Sequence, residues 1–95
     1  MRLTSFEIDA IKQSAHEVFG PLAEVFLFGS RVDDTKKGGD IDLYIKSPVG
    51  TDLAHKVKFL ITVEEKIGEQ KIDVVFAFDQ SRPIEQQAIL NGVLL

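Results

Sequence analysis

Three short apolar segments, and the unequal connections between them, constrain the fold of this chain more than any other feature. Residues 24–28, 40–45 and 72–78 are rich in β-branched, aromatic and aliphatic side chains, as buried strands are. The first two are joined by a polar stretch, residues 31–39, whose two acids, three bases and two glycines favour a loop. The second and third are joined by a helix-length segment. We therefore expect an antiparallel first pair and a parallel second pair, the latter with a right-handed crossover.

Amphipathic segments before, between and after these strands predict three helices packed on the sheet. The residues expected to begin or end them are Thr4 with Glu7, Gly20, Thr51, Gly68, Ser81 with Pro83, and Gly92. The helical residues expected in the core are Ile8, Ile11, Ala15, Val18 and Phe19, then Leu53, Val57, Leu60, Ile61 and Ile67. The strand residues expected there are Ile41, Leu43, Phe26, Phe28, Phe76 and Phe78. The predicted order is α-β-β-α-β-α, an α/β (α+β) fold with a small mixed three-stranded sheet, in a single domain over residues 1–95.

Composition excludes several classes of function. The net charge of −4 argues against binding duplex nucleic acid, which needs a basic face. No apolar stretch approaches the ~20 residues of a membrane span, and the first residues lack the apolar run of a signal peptide. The absence of cysteine rules out disulfides and thiolate zinc sites and fits a reducing compartment, so we expect a cytoplasmic location.

Three aspartates are expected to meet at one edge of the predicted sheet. Asp40 and Asp42 are two residues apart at the beginning of the second strand, so they project to the same face. Asp73 begins the third strand, and neighbouring parallel strands begin at the same edge. Because the first strand is expected to be antiparallel to the second, its end at Gly29 and Ser30 lies at that edge too.

Carboxylates crowded in this way repel each other unless a cation binds between them. Hard oxygen ligands suit Mg²⁺, or Mn²⁺, and two such ions can assist a phosphoryl transfer. Gly29 lets the backbone approach a phosphate, the Ser30 hydroxyl can donate to it, and the Arg31 guanidinium suits its geometry. The alternative is ordinary strand-start and turn chemistry at the aspartates and at Ser30.

The DNA polymerase β-type nucleotidyltransferase superfamily carries a signature that three runs of this chain resemble. They are Leu27-Phe28-Gly29-Ser30-Arg31, Gly39-Asp40-Ile41-Asp42-Leu43 and Ile72-Asp73-Val74-Val75. The resemblance covers nearly the whole chain, including the order of its elements. In its short length the chain resembles the minimal nucleotidyltransferases, which are often encoded beside a HEPN-domain protein as the antitoxin of a toxin–antitoxin pair.

The resemblance implies a protein adenylyltransferase that moves AMP from ATP to a hydroxyl, notably a tyrosine of a HEPN partner, and thereby silences that toxin. It implies that Gly29 and Ser30 hold the triphosphate. Asp40 and Asp42 would bind the catalytic Mg²⁺ ions, and Asp73 would bind metal and help to deprotonate the attacking hydroxyl. The chain departs from the family after Gly-Ser-Arg, where residues 32–34 are Val-Asp-Asp instead of small and basic.

Other functions stay open on the sequence. An antitoxin can neutralise its partner by binding alone, and the apolar ending Val93-Leu94-Leu95 is expected to cover a surface of this chain or of another. A homodimer is compatible with the same ending. A small-molecule or tRNA nucleotidyltransferase is disfavoured by the acidic charge and by the lack of room for a second domain.

Overall fold

Three helices and four strands follow one another along the chain. The computed structural model describes residues 3–29, 32 and 39–95. In chain order the elements are α1 (Ser5–Phe19), β1 (Glu24–Phe28), β2 (Ile41–Lys46), α2 (Leu53–Ile67), β3 (Ile72–Phe76), α3 (Pro83–Asn91) and β4 (Val93–Leu94). The predicted α-β-β-α-β-α order and the α+β fold are confirmed, with one strand added at the end.

The strands form a single mixed sheet in the order β3-β2-β1-β4. β1 pairs with β2 antiparallel, and β2 pairs with β3 in parallel, as the lengths of the two connections predicted. The prediction of three strands is wrong because β4 pairs antiparallel with β1. Leu95 continues this pairing, since its N–H donates to the Val25 carbonyl at 2.9 Å. A strand of two residues is too short to show any periodicity, so only the tertiary pairing reveals it.

The capping box at the start of α1 is confirmed. The Glu7 N–H donates to the Thr4 hydroxyl at 3.1 Å, and the Thr4 N–H donates to the Glu7 carboxylate at 2.9 Å. The predicted ends of the helices at Gly20, Gly68 and Gly92 are confirmed as well.

The predicted N-caps of the other two helices are wrong by one residue each. Asp52, rather than Thr51, caps α2 by accepting the His55 N–H at 2.9 Å. Arg82 occupies the cap position of α3 and makes no side-chain cap bond, while the Ser81 hydroxyl donates to Asp79 at 2.7 Å. In both places two neighbouring polar residues compete for a cap, and sequence alone does not rank them.

The main core lies between one face of the sheet and the helices α1 and α2. Its fully buried residues include Ile41 and Leu43, as predicted. A second, smaller cluster lies under α3 on the opposite face, where Phe28 and Tyr44 pack against Ala88. Within the described ranges, no helix is long and apolar enough to cross a membrane.

The predicted core positions of Phe78 and of three α2 residues are wrong, whereas Leu60 and Ile67 of α2 pack against the core as predicted. β3 ends at Phe76, so Phe78 lies beyond the sheet and is 85 % exposed, with Arg82 over its ring at 5.6 Å from the centroid. α2 carries two apolar stripes, and the buried one contains Phe59 and Val63. The other stripe is largely exposed and consists of Leu53, Val57 and Ile61. Helical spacing fits both stripes equally well, and only packing against α1 and the sheet selects between them.

Candidate active site

The carboxyl side chains at the start of β2 and β3 lie next to each other. Asp42 and Asp73 are direct register partners across the parallel pair. Asp40 directly precedes β2. The two strand starts are joined by the Ile41 N–H, which donates to the Lys71 carbonyl at 3.1 Å. Asp73 therefore stands beside Asp42 through the parallel pairing that the crossover predicted.

Gly29 lies at the same edge because β1 runs antiparallel to β2. Phe28, the last residue of β1, is the register partner of Asp42. Gly29 has φ +77°, and a Cβ atom at this position would overlap the Asp42 carboxylate. Its carbonyl accepts the Val32 N–H at 3.2 Å. Only glycine combines this backbone conformation with such a close carboxylate.

We call Gly29, Asp40, Asp42 and Asp73 the carboxylate edge. The other predicted phosphate ligands, Ser30 and Arg31, lie outside the described residues. So do the loop lysines at positions 36 and 37.

The electrostatics of the carboxylate edge indicate a shortage of positive charge. Burial raises the pKa of Asp42 above its ordinary value, and the neighbouring carboxylates of Asp73 and Asp40 raise that pKa further. Asp40 itself forms an ion pair with Lys71, at 3.3 Å between Oδ2 and Nζ. Among the residues that the structure describes, no three ligand side chains are gathered as a ready-made metal site.

The donor chemistry of the carboxylate edge nevertheless fits a divalent cation. All three side chains offer hard oxygen ligands of the kind that Mg²⁺ and Mn²⁺ prefer. The raised pKa of Asp42 has a cause that a bound cation would remove, namely the two neighbouring negative charges. Gly29 has no side chain, which leaves room for the Asp42 carboxylate against the backbone at the end of β1.

Sequence reasoning missed two charged groups, Lys71 at this edge and Glu85 on α3. Lys71 stands two positions before Asp73, at the start of the third predicted strand, and sequence reasoning assigned it no role. Glu85, on α3, is fully buried and accepts the Tyr44 hydroxyl at 2.8 Å. Tyr44 lies two residues after Asp42 on the same strand face, and it is buried. The spacing of Lys71 from Asp73 was the only sequence signal for Lys71, and the i,i+3 spacing of Arg82 and Glu85 was the only one for Glu85.

At one edge of the sheet, Gly29 thus faces Asp42, and Asp73 stands on the next parallel strand. The family model for the nucleotidyltransferase domain matches residues 8–94. The chain therefore belongs to the nucleotidyltransferase domain family, and the prediction that it is a nucleotidyltransferase is confirmed.

A solved structure extends this finding to the fold. The chain is similar to a chain in the crystal structure of a mutant of the toxin–antitoxin MntA-HpeT, with a TM-score of 0.70 at 16 % sequence identity. The match covers 93 % of this chain and 70 % of the other. At this level of identity the likeness establishes a shared fold. Comparison with curated protein sequences gives no significant match.

Proposed function

We propose that this protein is a cytoplasmic antitoxin that transfers AMP from ATP to a tyrosine hydroxyl of a HEPN-domain toxin. The observation that carries the proposal is the carboxylate edge, where Asp42 and Asp73 are register partners beside Asp40 and Gly29. This is the arrangement that a metal-dependent transfer of a nucleotidyl group requires.

The chemistry assigned to each residue follows from its position. Asp40, Asp42 and Asp73 would hold Mg²⁺, which when bound neutralises charge on the phosphates and on the leaving group. Asp73, the exposed member of the three, accepts the proton of the attacking hydroxyl. The acceptor oxygen forms a bond to the α-phosphorus of ATP, the bond to the β-phosphate oxygen breaks, and pyrophosphate leaves. The backbone at Gly29, with Ser30 and Arg31, binds the triphosphate.

The comparison supports the antitoxin role and the use of paired aspartates. The solved structure is that of a mutant toxin–antitoxin pair in which glutamate replaces two aspartates that stand two positions apart. Asp40 and Asp42 have the same spacing. The tyrosine acceptor and the HEPN partner rest on the resemblance of the sequence to minimal nucleotidyltransferases.

The test is incubation of the purified protein with a HEPN-domain protein encoded beside it, together with ATP and Mg²⁺. Intact-mass measurement should show the partner gaining one or more AMP units, and peptide mapping should place them on tyrosine. The matched control is the double variant Asp40→Asn, Asp42→Asn, which keeps the shape of both side chains. Undiminished labelling by that variant would exclude the carboxylate edge as the site of transfer.

A second candidate function is neutralisation by binding alone. The exposed stripe of Leu53, Val57 and Ile61 on α2 favours it, because aligned apolar side chains on a surface helix are typical of protein interfaces. Co-expression of the toxin with the double asparagine variant separates the two candidates. Rescue equal to that of wild type, at matched protein levels, would show that binding is sufficient.

A further inference from the structure

At the carboxylate edge, the backbone of Lys71 is fixed by a hydrogen bond, whereas its side chain is mostly exposed to solvent. Its carbonyl accepts the Ile41 N–H at 3.1 Å, which locks the residue to the start of β2. Its side chain is 75 % exposed, and the ammonium lies 3.3 Å from Asp40. The charge is therefore tethered beside the aspartates while its direction is free to change.

The ion pair with Asp40 has little value for stability. Exposed ion pairs contribute little to folding because water already solvates both charges well. The start of β3 is held by the main-chain bond from Ile41, which any residue at position 71 can make. A role in folding therefore does not explain a lysine here.

A role in ligand exchange does explain it. An ammonium on Asp40 opposes a divalent cation that seeks the same oxygens, since both carry positive charge. Once a nucleotide arrives, its phosphates bring several negative charges to this edge, and the ammonium gains a stronger partner than one carboxylate. The same lysine thus weakens the binding of the metal ion alone and strengthens the binding of the metal ion together with a polyphosphate.

We infer that Lys71 is a counter-charge that changes partners, pairing with Asp40 in the free protein and with the nucleotide polyphosphate when metal and nucleotide bind together. The inference rests on the proposed function, because it assigns metal and nucleotide to the carboxylate edge. Its consequence is ordered binding: the site takes the metal–nucleotide complex and resists the bare metal ion.

The test compares two binding constants in Lys71→Gln with those of the wild type. Binding of Mn²⁺ alone, followed by the electron paramagnetic resonance of the free ion, should tighten by about threefold. Binding of a non-hydrolysable ATP analogue with Mg²⁺, followed by calorimetry, should weaken roughly tenfold because a charge-assisted bond is lost. Lys71→Arg should keep both constants near those of the wild type.

Lys66→Gln is the matched control. Lys66 pairs with Glu17 at 3.3 Å on the surface formed by α1 and α2, so this variant removes the same charge and the same type of ion pair elsewhere. If Lys71→Gln changes neither constant relative to Lys66→Gln, or weakens both, the inference is overturned while the proposed function survives. If the wild type binds neither Mn²⁺ nor the nucleotide, both fail together.

Discussion

Two carboxylates in this protein, those of Asp42 and Glu85, have pKa values that are shifted in opposite directions. Burial raises the pKa of Asp42, and the charges of Asp73 and Asp40 raise it further. Burial also acts to raise the pKa of Glu85, but hydrogen bonds outweigh it and lower that pKa to about 2. The four donors to Glu85 are the Asp79 N–H, the Arg82 guanidinium, the Tyr44 hydroxyl and the Phe78 N–H.

The difference shows what separates a structural acid from a functional one. Glu85 is fully buried, and the fold supplies it with donors from α3, from β2 and from the segment after β3. Its negative charge therefore fixes α3 to the sheet. Asp42 is partly buried and has two negatively charged neighbours, Asp73 and Asp40. The negative charge at this edge therefore stays unbalanced until a cation binds. The four predictions below test that contrast, from the largest expected effect to the smallest.

Asp42→Asn should lower nucleotidyl transfer by at least about 10²-fold while leaving the free energy of unfolding unchanged or raised. Activity falls because a metal ligand is lost, and stability does not fall because a repelling charge is removed. Initial rates of AMP incorporation and urea unfolding measure the two effects. A parallel loss of stability would contradict the view that Asp42 is electrostatically unfavourable to the fold.

Glu85→Ala should lower the free energy of unfolding by about 3–5 kcal/mol, because it leaves the buried Tyr44 hydroxyl and the N–H groups of Phe78 and Asp79 without their acceptor. Urea unfolding followed by circular dichroism measures it. The exposed Glu64 provides the control, since Glu64→Ala should change stability by less than about 0.5 kcal/mol. Equal effects of the two substitutions would show that the Glu85 network contributes nothing.

Stability should fall as the pH falls from about 4.5 towards about 2, the ordinary and the folded pKa of Glu85. The unfolded chain takes up the proton first in this window, so protonation favours unfolding; above it the carboxylate is ionised in both states and the contribution is complete. In Glu85→Gln this slope should be smaller. A residual slope is expected, since hydrogen bonds from Ser81 lower the pKa of Asp79 as well. An unchanged slope in Glu85→Gln would contradict the assignment.

Tyr44→Phe should have the smallest effect, a loss of about 1 kcal/mol, because Glu85 keeps its other donors. Thermal unfolding measures it. A loss as large as that of Glu85→Ala would mean that the hydroxyl, rather than the guanidinium and the main chain, holds the carboxylate.

Much of the site could be predicted because its residues are placed by local rules. Side chains alternate along a strand, so Asp42 projects from the face opposite to that of the core residues Ile41 and Leu43. The crossover through α2 then brings Asp73 beside Asp42. Lys71 and Glu85 could not be predicted, because Asp40, the partner of Lys71, and Tyr44, one of the partners of Glu85, are distant from them in the sequence. The hydrophobic periodicity of the sequence does not indicate contacts of this kind.

The sequence by itself determined the order of the elements, the direction of both main strand pairings and the side-by-side positions of Asp42 and Asp73. These follow from hydrophobic period, connection length and strand alternation, which act over a few residues at a time. Tertiary structure alone decided the fourth strand, the choice of the buried stripe on α2 and the network around Glu85. At each of these places the local sequence allows several arrangements of similar free energy. Contacts between distant parts of the chain decide which arrangement forms.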